Sequence, residues 1–124
     1  MMKVITFTAG GGRLKAEFEF IGLIVASYAF TLWEAGSNER KMYEKGNNKN
    51  PQDDSYLLPE PADVNHERLI QLRTEFVGLD PAANKAFKII AHVYQGDMLL
   101  GSSEETGEVT GNAQTSLIFI QLKK

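Results

Sequence analysis

Over residues 14–20, LKAEFEF, apolar and charged side chains alternate without exception, and few folds satisfy such a pattern. The apolar members are Leu14, Ala16, Phe18 and Phe20, and the charged members are Lys15, Glu17 and Glu19. Successive side chains of a β-strand point to opposite faces, so a period of two predicts a strand with one face in the core and the other in water.

Three consecutive glycines precede this strand, in the segment TAGGGRL at residues 8–14. A Walker-type phosphate loop needs GxxxxGK[ST], and neither the lysine nor the hydroxyl is present. A dinucleotide-binding loop opens a helix, whereas the residues that follow here alternate as a strand. Because the preceding VITFTA is also strand-like, the glycines predict the turn of a β-hairpin.

Two longer apolar runs predict strands inside a sheet. LIVASYAFTLWE, residues 23–34, is largely apolar on both faces, which favours a central strand covered on two sides. SLIFIQLKK, residues 116–124, has the same character and predicts a second central strand. The most apolar stretch, residues 20–30, is 11 residues long, which is too short to cross a bilayer.

Two polar segments predict surface loops. Residues 35–65 contain GNNKNPQDDS at 46–55, whose only apolar residue is proline, and this composition indicates an exposed loop. Within the same segment, RKMYEK at 40–45 predicts a short edge strand guarded by its charges. Residues 101–114 are polar and interrupted by glycine, and they predict a second loop, with a short edge strand within it as an alternative. Long connections of this kind often carry function.

Residues 62–95 fit both strands and helices. Asp80 and Pro81 would suit the N-cap and first turn of a helix. The strand interpretation instead places four apolar side chains on one face, namely Phe87, Ile89, Ala91 and Val93. We favour strands because this segment leads into Gly96 and Asp97, a two-residue hairpin turn. An α+β fold with two helices in 62–95 is the alternative.

Length and composition set further limits on the fold. The 124 residues predict a single domain over 1–124. The chain has no cysteine and only two histidines, which excludes disulfides, thiolate metal sites and a histidine-rich zinc site. Short strands with frequent turn signals predict an all-β antiparallel β-sandwich of about seven or eight strands, immunoglobulin-like or C2-like.

Acidic residues in the two polar segments are candidate calcium ligands. Asp53 and Asp54 lie in the first segment, and Glu104 and Glu105 lie in the second. Calcium prefers such oxygen ligands, but the spacing matches no EF-hand and similar loops are common turns. We therefore expect no cofactor, with a calcium-dependent sandwich, whose two loops converge at one end, as an alternative.

Three aromatic residues, Trp33, Tyr43 and Tyr56, are candidate binding residues. Exposed aromatics on a sandwich can stack on sugar rings or anchor a protein partner. In the competing interpretation Trp33 caps the core and the two tyrosines pack beneath the long loop, since isolated surface hydrophobes are common.

Carboxylates and a histidine raise the question of catalysis. Glu17 and Glu19 share a strand face, a pair that would fit glycoside hydrolysis, and His92 is a candidate base. However, the carboxylates alternate with Lys15 on a face predicted to be wet, and the chain has no GxSxG or HExxH motif. We expect no enzymatic activity, and a small carbohydrate-acting hydrolase is the alternative.

The charge of the chain and the absence of a recognisable catalytic motif in the sequence together favour a binding role. The net charge of −3 and the absence of a basic run argue against nucleic acid as a partner. No signal-like or membrane-spanning run is visible, which predicts a cytoplasmic protein. The sequence therefore predicts a non-enzymatic binding or structural module that recognises its ligand through loops 35–65 and 101–114. The expected partner is another protein, or a second copy joining through a sheet edge.

Overall fold

The computed structural model describes residues 2–49 and 54–124 of the chain. Within these ranges it contains nine β-strands and one short 3₁₀ turn, Ala62–Asn65. The strands are β1 (Lys3–Thr6), β2 (Leu14–Gly22), β3 (Ile24–Trp33), β4 (Arg40–Asn47), β5 (Ser55–Leu57), β6 (Leu69–Gly78), β7 (Ala86–Gln95), β8 (Met98–Glu108) and β9 (Gln114–Lys123).

The strands form two sheets that pack as a sandwich. The five-stranded sheet has the order β1-β9-β6-β3-β4, and the four-stranded sheet has the order β5-β2-β7-β8. Strand β1 runs parallel to β9, and the other pairs are antiparallel. The predicted all-β sandwich is confirmed, with nine strands in place of seven or eight. In an immunoglobulin domain the last two strands share a sheet, whereas β8 and β9 do not, so the connectivity is of another kind.

Alternate residues of the strands fill the space between the sheets. The apolar face of the opening alternation is buried as predicted, with Leu14, Ala16 and Phe18 in the core. Strand β3 contributes Ile24, Ala26, Tyr28, Phe30 and Leu32. Strands β6, β7 and β9 contribute Ile70, Leu72, Phe76, Phe87, Ile89, Ala91, Val93, Ile118, Ile120 and Leu122. The buried faces hold the sheets together, because burying each large aliphatic side chain stabilises the fold by about 1.5–3 kcal/mol.

Residues 62–95 are strands apart from the single 3₁₀ turn, so the two-helix alternative is wrong. Strand β6 pairs with β3 and β9, and β7 pairs with β2 and β8. These ladders bury every second side chain, which a helical period would not do. Asp80 and Pro81 lie in a turn instead, where Asp80 Oδ1 accepts a hydrogen bond from the Ala83 N–H at 3.2 Å.

Both polar segments predicted as loops contain strands, which corrects the loop assignments. Residues 35–65 include β4 and β5, of which β4 is the predicted edge strand. Residues 101–108 belong to β8, so only 109–113 connect β8 to β9. All three strands lie at sheet edges. Edge strands bury few side chains and commonly carry charges, so their composition resembles that of a loop.

The two glycine turns differ in what they connect. The triple glycine links β1 in the five-stranded sheet to β2 in the four-stranded sheet, so the predicted hairpin between them is wrong. Its turn does require a positive φ, which is 69° at Gly10. The Gly96-Asp97 hairpin is confirmed, because Gln95 of β7 pairs with Met98 of β8 around Gly96, whose φ is 58°.

Candidate ligand-binding face

The outer face of the five-stranded sheet is depressed along β3. Strand β3 lies between β4 and β6, and its outward side chains Ser27 and Ala29 are small. The cross-strand neighbours of Ala29 are large cations, Lys45 on β4 and Arg73 on β6. Both cations are exposed. The register therefore places the small side chain of Ala29, which forms the floor of the depression, between the two long charged side chains of Lys45 and Arg73.

Two adjoining cavities follow this depression. The first, of about 400 Å³, is lined by Ser27, Ala29, Tyr43, Lys45, Arg73 and Glu75. The second, of about 410 Å³, includes Val25, Asn47, Lys49 and Val77 and shares Ser27 and Glu75 with the first. Because these residues are shared, the cavities are parts of one groove on the outer face, which we call the β3 groove.

Aromatic rings and cations stack along the β4 side of the β3 groove. The Arg40 guanidinium lies 4.5 Å from the ring centre of Tyr43 and 5.6 Å from that of Trp33. Lys45 Nζ lies 5.8 Å from the Tyr43 ring centre. The Trp33 indole N–H donates a hydrogen bond to Gln71 Oε1 at 2.9 Å, across the boundary between β3 and β6. Cation–π contacts of this kind hold the rings in place, and Tyr43 remains 42% exposed.

The charge around the β3 groove is opposite in sign to that of the whole chain. Four cations surround it, Arg40, Lys45, Lys49 and Arg73. One carboxylate, Glu75, lines it and forms an ion pair with Arg73 at 3.3 Å. Of the charged residues that line the groove itself, Lys45, Lys49 and Arg73 outnumber Glu75 by two positive charges, in a protein whose net charge is −3. Such a local potential attracts anions and repels cations.

A buried cluster of polar groups supports β3 beneath this face. The Tyr28 hydroxyl donates a hydrogen bond to Asp54 Oδ1 at 2.7 Å, and it lies 2.5 Å from the Tyr56 hydroxyl. Burial raises the pKa of Tyr28, and the hydrogen bonds to Tyr56 and Asp54 raise it further. Gly46 on β4 makes room for this phenol, because a Cβ there would collide with the Tyr28 hydroxyl. The cluster joins β3 to the β5 edge of the opposite sheet.

The structure separates the residues predicted to bind. Trp33 and Tyr43 lie on the outer face beside the β3 groove. Tyr56 packs towards the core, and Asp54 is buried with its carboxylate bonded to Tyr28. Asp53 lies outside the described residues.

The three candidate calcium ligands among the described residues, Asp54, Glu104 and Glu105, are not brought together. Asp54 lies beside β5 at one edge of the four-stranded sheet, whereas Glu104 and Glu105 belong to β8 at the other edge. Glu104 lies 3.8 Å from Lys88 Nζ, and Glu105 accepts a hydrogen bond from the Ser116 hydroxyl. In the part of the chain that the structure describes, no group of three or more acidic or histidine side chains is placed to hold a metal ion.

A hydroxyl, an imidazole and a carboxylate form a chain on the outer face of the four-stranded sheet. His92 Nδ1 lies 2.6 Å from Ser102 Oγ, and His92 Nε2 lies 3.1 Å from Glu19 Oε1. Glu17 is the cross-strand neighbour of His92. These contacts tie β2, β7 and β8 together on this face.

Sequence reasoning overlooked Arg73 and the open floor at Ala29. It interpreted β3 as covered on both sides, which is wrong, because the outer face of β3 is open to the groove. The available signal was the run of small residues at alternate positions 27, 29 and 31. What this signal could not supply was the register that places one cation on each side of Ala29.

The fold defines the class of the protein as an all-β sandwich, and comparison adds no family to this. No protein-family model, curated protein or solved structure matches the chain. Over residues 2–49 and 54–124, no helix has the length and apolar character needed to cross a membrane. The geometry and charge of the β3 groove are therefore the features that point to a function.

Proposed function

We propose that this protein is a non-enzymatic binding module that holds an anionic ligand in the β3 groove. The observation that carries the proposal is the placement of Lys45 and Arg73 on either side of Ala29, at the floor of a cavity of about 400 Å³. Strands two apart in a sheet are separated by roughly 9–10 Å. The two long side chains can therefore close on one acidic group from both sides.

The affinity of this site for an anion is limited because its charged side chains are exposed to water. Arg73 is 53% exposed in its side chain and Lys45 is also exposed, so water and salt screen both charges. A single surface ion pair contributes about 0–1 kcal/mol. Useful affinity therefore requires a ligand that engages several groups of the groove at once, and binding weakens as salt is added.

Chromatography on a sulfonate cation-exchange resin tests this proposal at pH 7. A protein of net charge −3 should pass through such a resin unless a basic face holds it. We expect retention at about 0.01 M salt, where the Debye length is about 30 Å, and release by about 0.15 M salt. The Lys45→Gln, Arg73→Gln double variant should pass through.

The matched control removes the same charge from the opposite face. Lys15→Gln with Lys88→Gln acts on β2 and β7 of the four-stranded sheet, and that variant should still be retained. Equal loss of retention in both variants would show that overall charge governs binding, and the proposed site would be wrong. Passage of the wild-type protein through the resin would also contradict the proposal.

Association through a sheet edge is a second candidate, and the length of one edge favours it. The eight residues of β4, Arg40–Asn47, pair with β3 on one side and form the boundary of the five-stranded sheet on the other. A free edge of this length can accept a strand from a partner protein or a second copy. Sedimentation velocity over a range of protein concentrations should reveal a dimer, and a monomer throughout would remove self-association.

A further inference from the structure

Along its β3 floor the groove offers side-chain hydrogen-bonding groups. Strand β3 pairs with β4 on one side and with β6 on the other, so its N–H and C=O groups are used within the sheet. A peptide lying in the groove would find no backbone partners, because strand recognition requires a free sheet edge. The ligand must therefore be one that side chains alone can recognise.

The polar groups beside the floor are hydroxyls and amides. Ser27 is exposed on the floor between Asn47 on β4 and Glu75 on β6. Further along β3, Thr31 lies beside Gln71 of β6, but Thr31 is 4% exposed, so its hydroxyl is not offered to a ligand. The Gln71 carbonyl already accepts the Trp33 indole N–H, so its amide nitrogen is the group that a ligand can meet. Hydroxyls and amides both donate and accept hydrogen bonds. This mixture suits a ligand that is itself rich in hydroxyl groups.

Tyr43 adds an apolar surface to this polar lining. Its ring lines the first cavity and is 42% exposed, with the Arg40 guanidinium over it at 4.5 Å from the ring centre. A sugar ring has flat C–H faces and a rim of hydroxyls, so it matches an aromatic ring set among hydroxyl and amide groups. An acidic peptide offers charges but no such faces.

The spacing of the cations limits the charge density of the ligand. Arg40, Lys45 and Lys49 follow one another along and just beyond β4 at intervals of five and four residues. At about 3.3 Å per residue the interval from Arg40 to Lys45 corresponds to roughly 17 Å, and Lys45 and Arg73, on strands two apart, are separated by roughly 9–10 Å. This is sparser than the phosphates of a nucleic acid strand, which follow one another every 3.4 Å or so along the helix axis. The groove therefore suits carboxylates separated by neutral rings.

From these observations we infer that the ligand of the β3 groove is an acidic oligosaccharide in which uronic acid rings alternate with neutral sugar rings. Lys45 and Arg73 hold a carboxylate above Ala29, and Tyr43 packs against a neighbouring sugar ring. The inference rests on the proposed anion-binding function and narrows it to one class of ligand.

The test titrates the full chain with three probes and follows the fluorescence of Trp33, the single tryptophan. The probes are a hyaluronan oligosaccharide, a neutral chitin oligosaccharide of equal length, and a glutamate–serine repeat peptide with as many carboxylates as the first. We expect the hyaluronan oligosaccharide to bind about tenfold more tightly than the peptide, because stacking on an aromatic ring adds up to about that factor. It should also bind more tightly than the chitin oligosaccharide, which has no carboxylate for Lys45 and Arg73 to hold.

Substitutions separate sugar recognition from simple charge attraction. Tyr43→Ala should weaken binding of the hyaluronan oligosaccharide about tenfold and weaken binding of the glutamate–serine peptide much less, because the peptide has no sugar ring to stack on Tyr43. Tyr94→Ala is the matched control, since Tyr94 lies on β7 of the other sheet. Circular dichroism melts establish that both variants are folded. If Tyr43→Ala binds hyaluronan as the wild type does, the inference is wrong.

The failures of the two proposals are distinguishable. Equal affinity for the peptide and the saccharide, or no saccharide binding by a protein that the resin retains, would overturn the saccharide inference and leave the anion-binding function standing. A protein that neither binds a saccharide nor is retained by the resin would contradict both the anion-binding function and the saccharide inference. Binding of the neutral probe as tightly as hyaluronan would contradict the role of Lys45 and Arg73.

Discussion

Removing the hydroxyl of Tyr28 should destabilise the protein measurably. The side chain is 4% exposed, and its hydroxyl takes part in hydrogen bonds with Asp54 and Tyr56 at 2.7 and 2.5 Å. Each buried hydrogen bond contributes about 1 kcal/mol net, so Tyr28→Phe should cost about 2 kcal/mol. For a domain of this size that corresponds to a loss of roughly 6–10 °C in melting temperature.

The same substitution should change how stability depends on alkaline pH. Burial raises the pKa of Tyr28 above its ordinary value of 10.0, so the folded state keeps the proton that the unfolded state loses. The stabilising effect of Tyr28 is therefore complete below pH 10 and declines as pH rises further. The stability gap between wild type and Tyr28→Phe should narrow above pH 10, because phenylalanine has no proton to lose.

Urea denaturation at a series of pH values from neutral to alkaline measures both effects. Tyr94→Phe, on the outer face of the other sheet, is the matched control and should leave stability and its pH dependence unchanged. A Tyr28→Phe protein within about 0.5 kcal/mol of wild type at pH 7, the range of ordinary surface substitutions, would refute the role given to the cluster. A gap that stays constant above pH 10 would refute the reasoning about its proton.

Two further predictions concern packing and acid stability. Gly46→Ala should lower the free energy of unfolding by about 1–3 kcal/mol, because the new Cβ would lie 2.5 Å from Cζ of the buried Tyr28 side chain. The control is Gly12→Ala, whose Cβ would have its nearest contact at 3.6 Å and which should not lower the melting temperature to that extent. Hydrogen bonds from Arg68 lower the pKa of Glu34 to about 2 from 4.5, so the stability this carboxylate contributes is present above pH 4.5 and lost as pH falls towards 2. Glu34→Gln should therefore be less stable than wild type in urea at pH 7, with the difference disappearing near pH 2, and a pH-independent difference would contradict this.

Much of the fold was predictable because a strand with one buried face shows an alternation of apolar and polar residues in the sequence. The alternation in β2 and the Gly96-Asp97 turn each depend on neighbouring residues alone, and the structure bears both out. The edge strands β5 and β8 were harder to predict, since a strand with one neighbour and little burial has a composition close to that of a loop. The triple glycine predicted a turn correctly, but nothing in its sequence indicates that the chain crosses between sheets there.

The candidate site was predictable only in part. Trp33 and Tyr43 were recognisable as aromatics beside charged residues, and both lie at the β3 groove. Tyr56 and Asp54 were equally good candidates by residue type, yet they lie in the interior around Tyr28. Exposure cannot be read from residue type when the strand is short and its register is unknown.

The sequence by itself determined that this chain forms strands with one buried face, because the period of two is a local property of the backbone. Only the tertiary structure decided which strands became neighbours, and hence that Lys45 and Arg73 flank Ala29. These three residues are 16 or more positions apart along the chain. Their meeting depends on the pairing register of three strands, and register is set by the packing of the whole core.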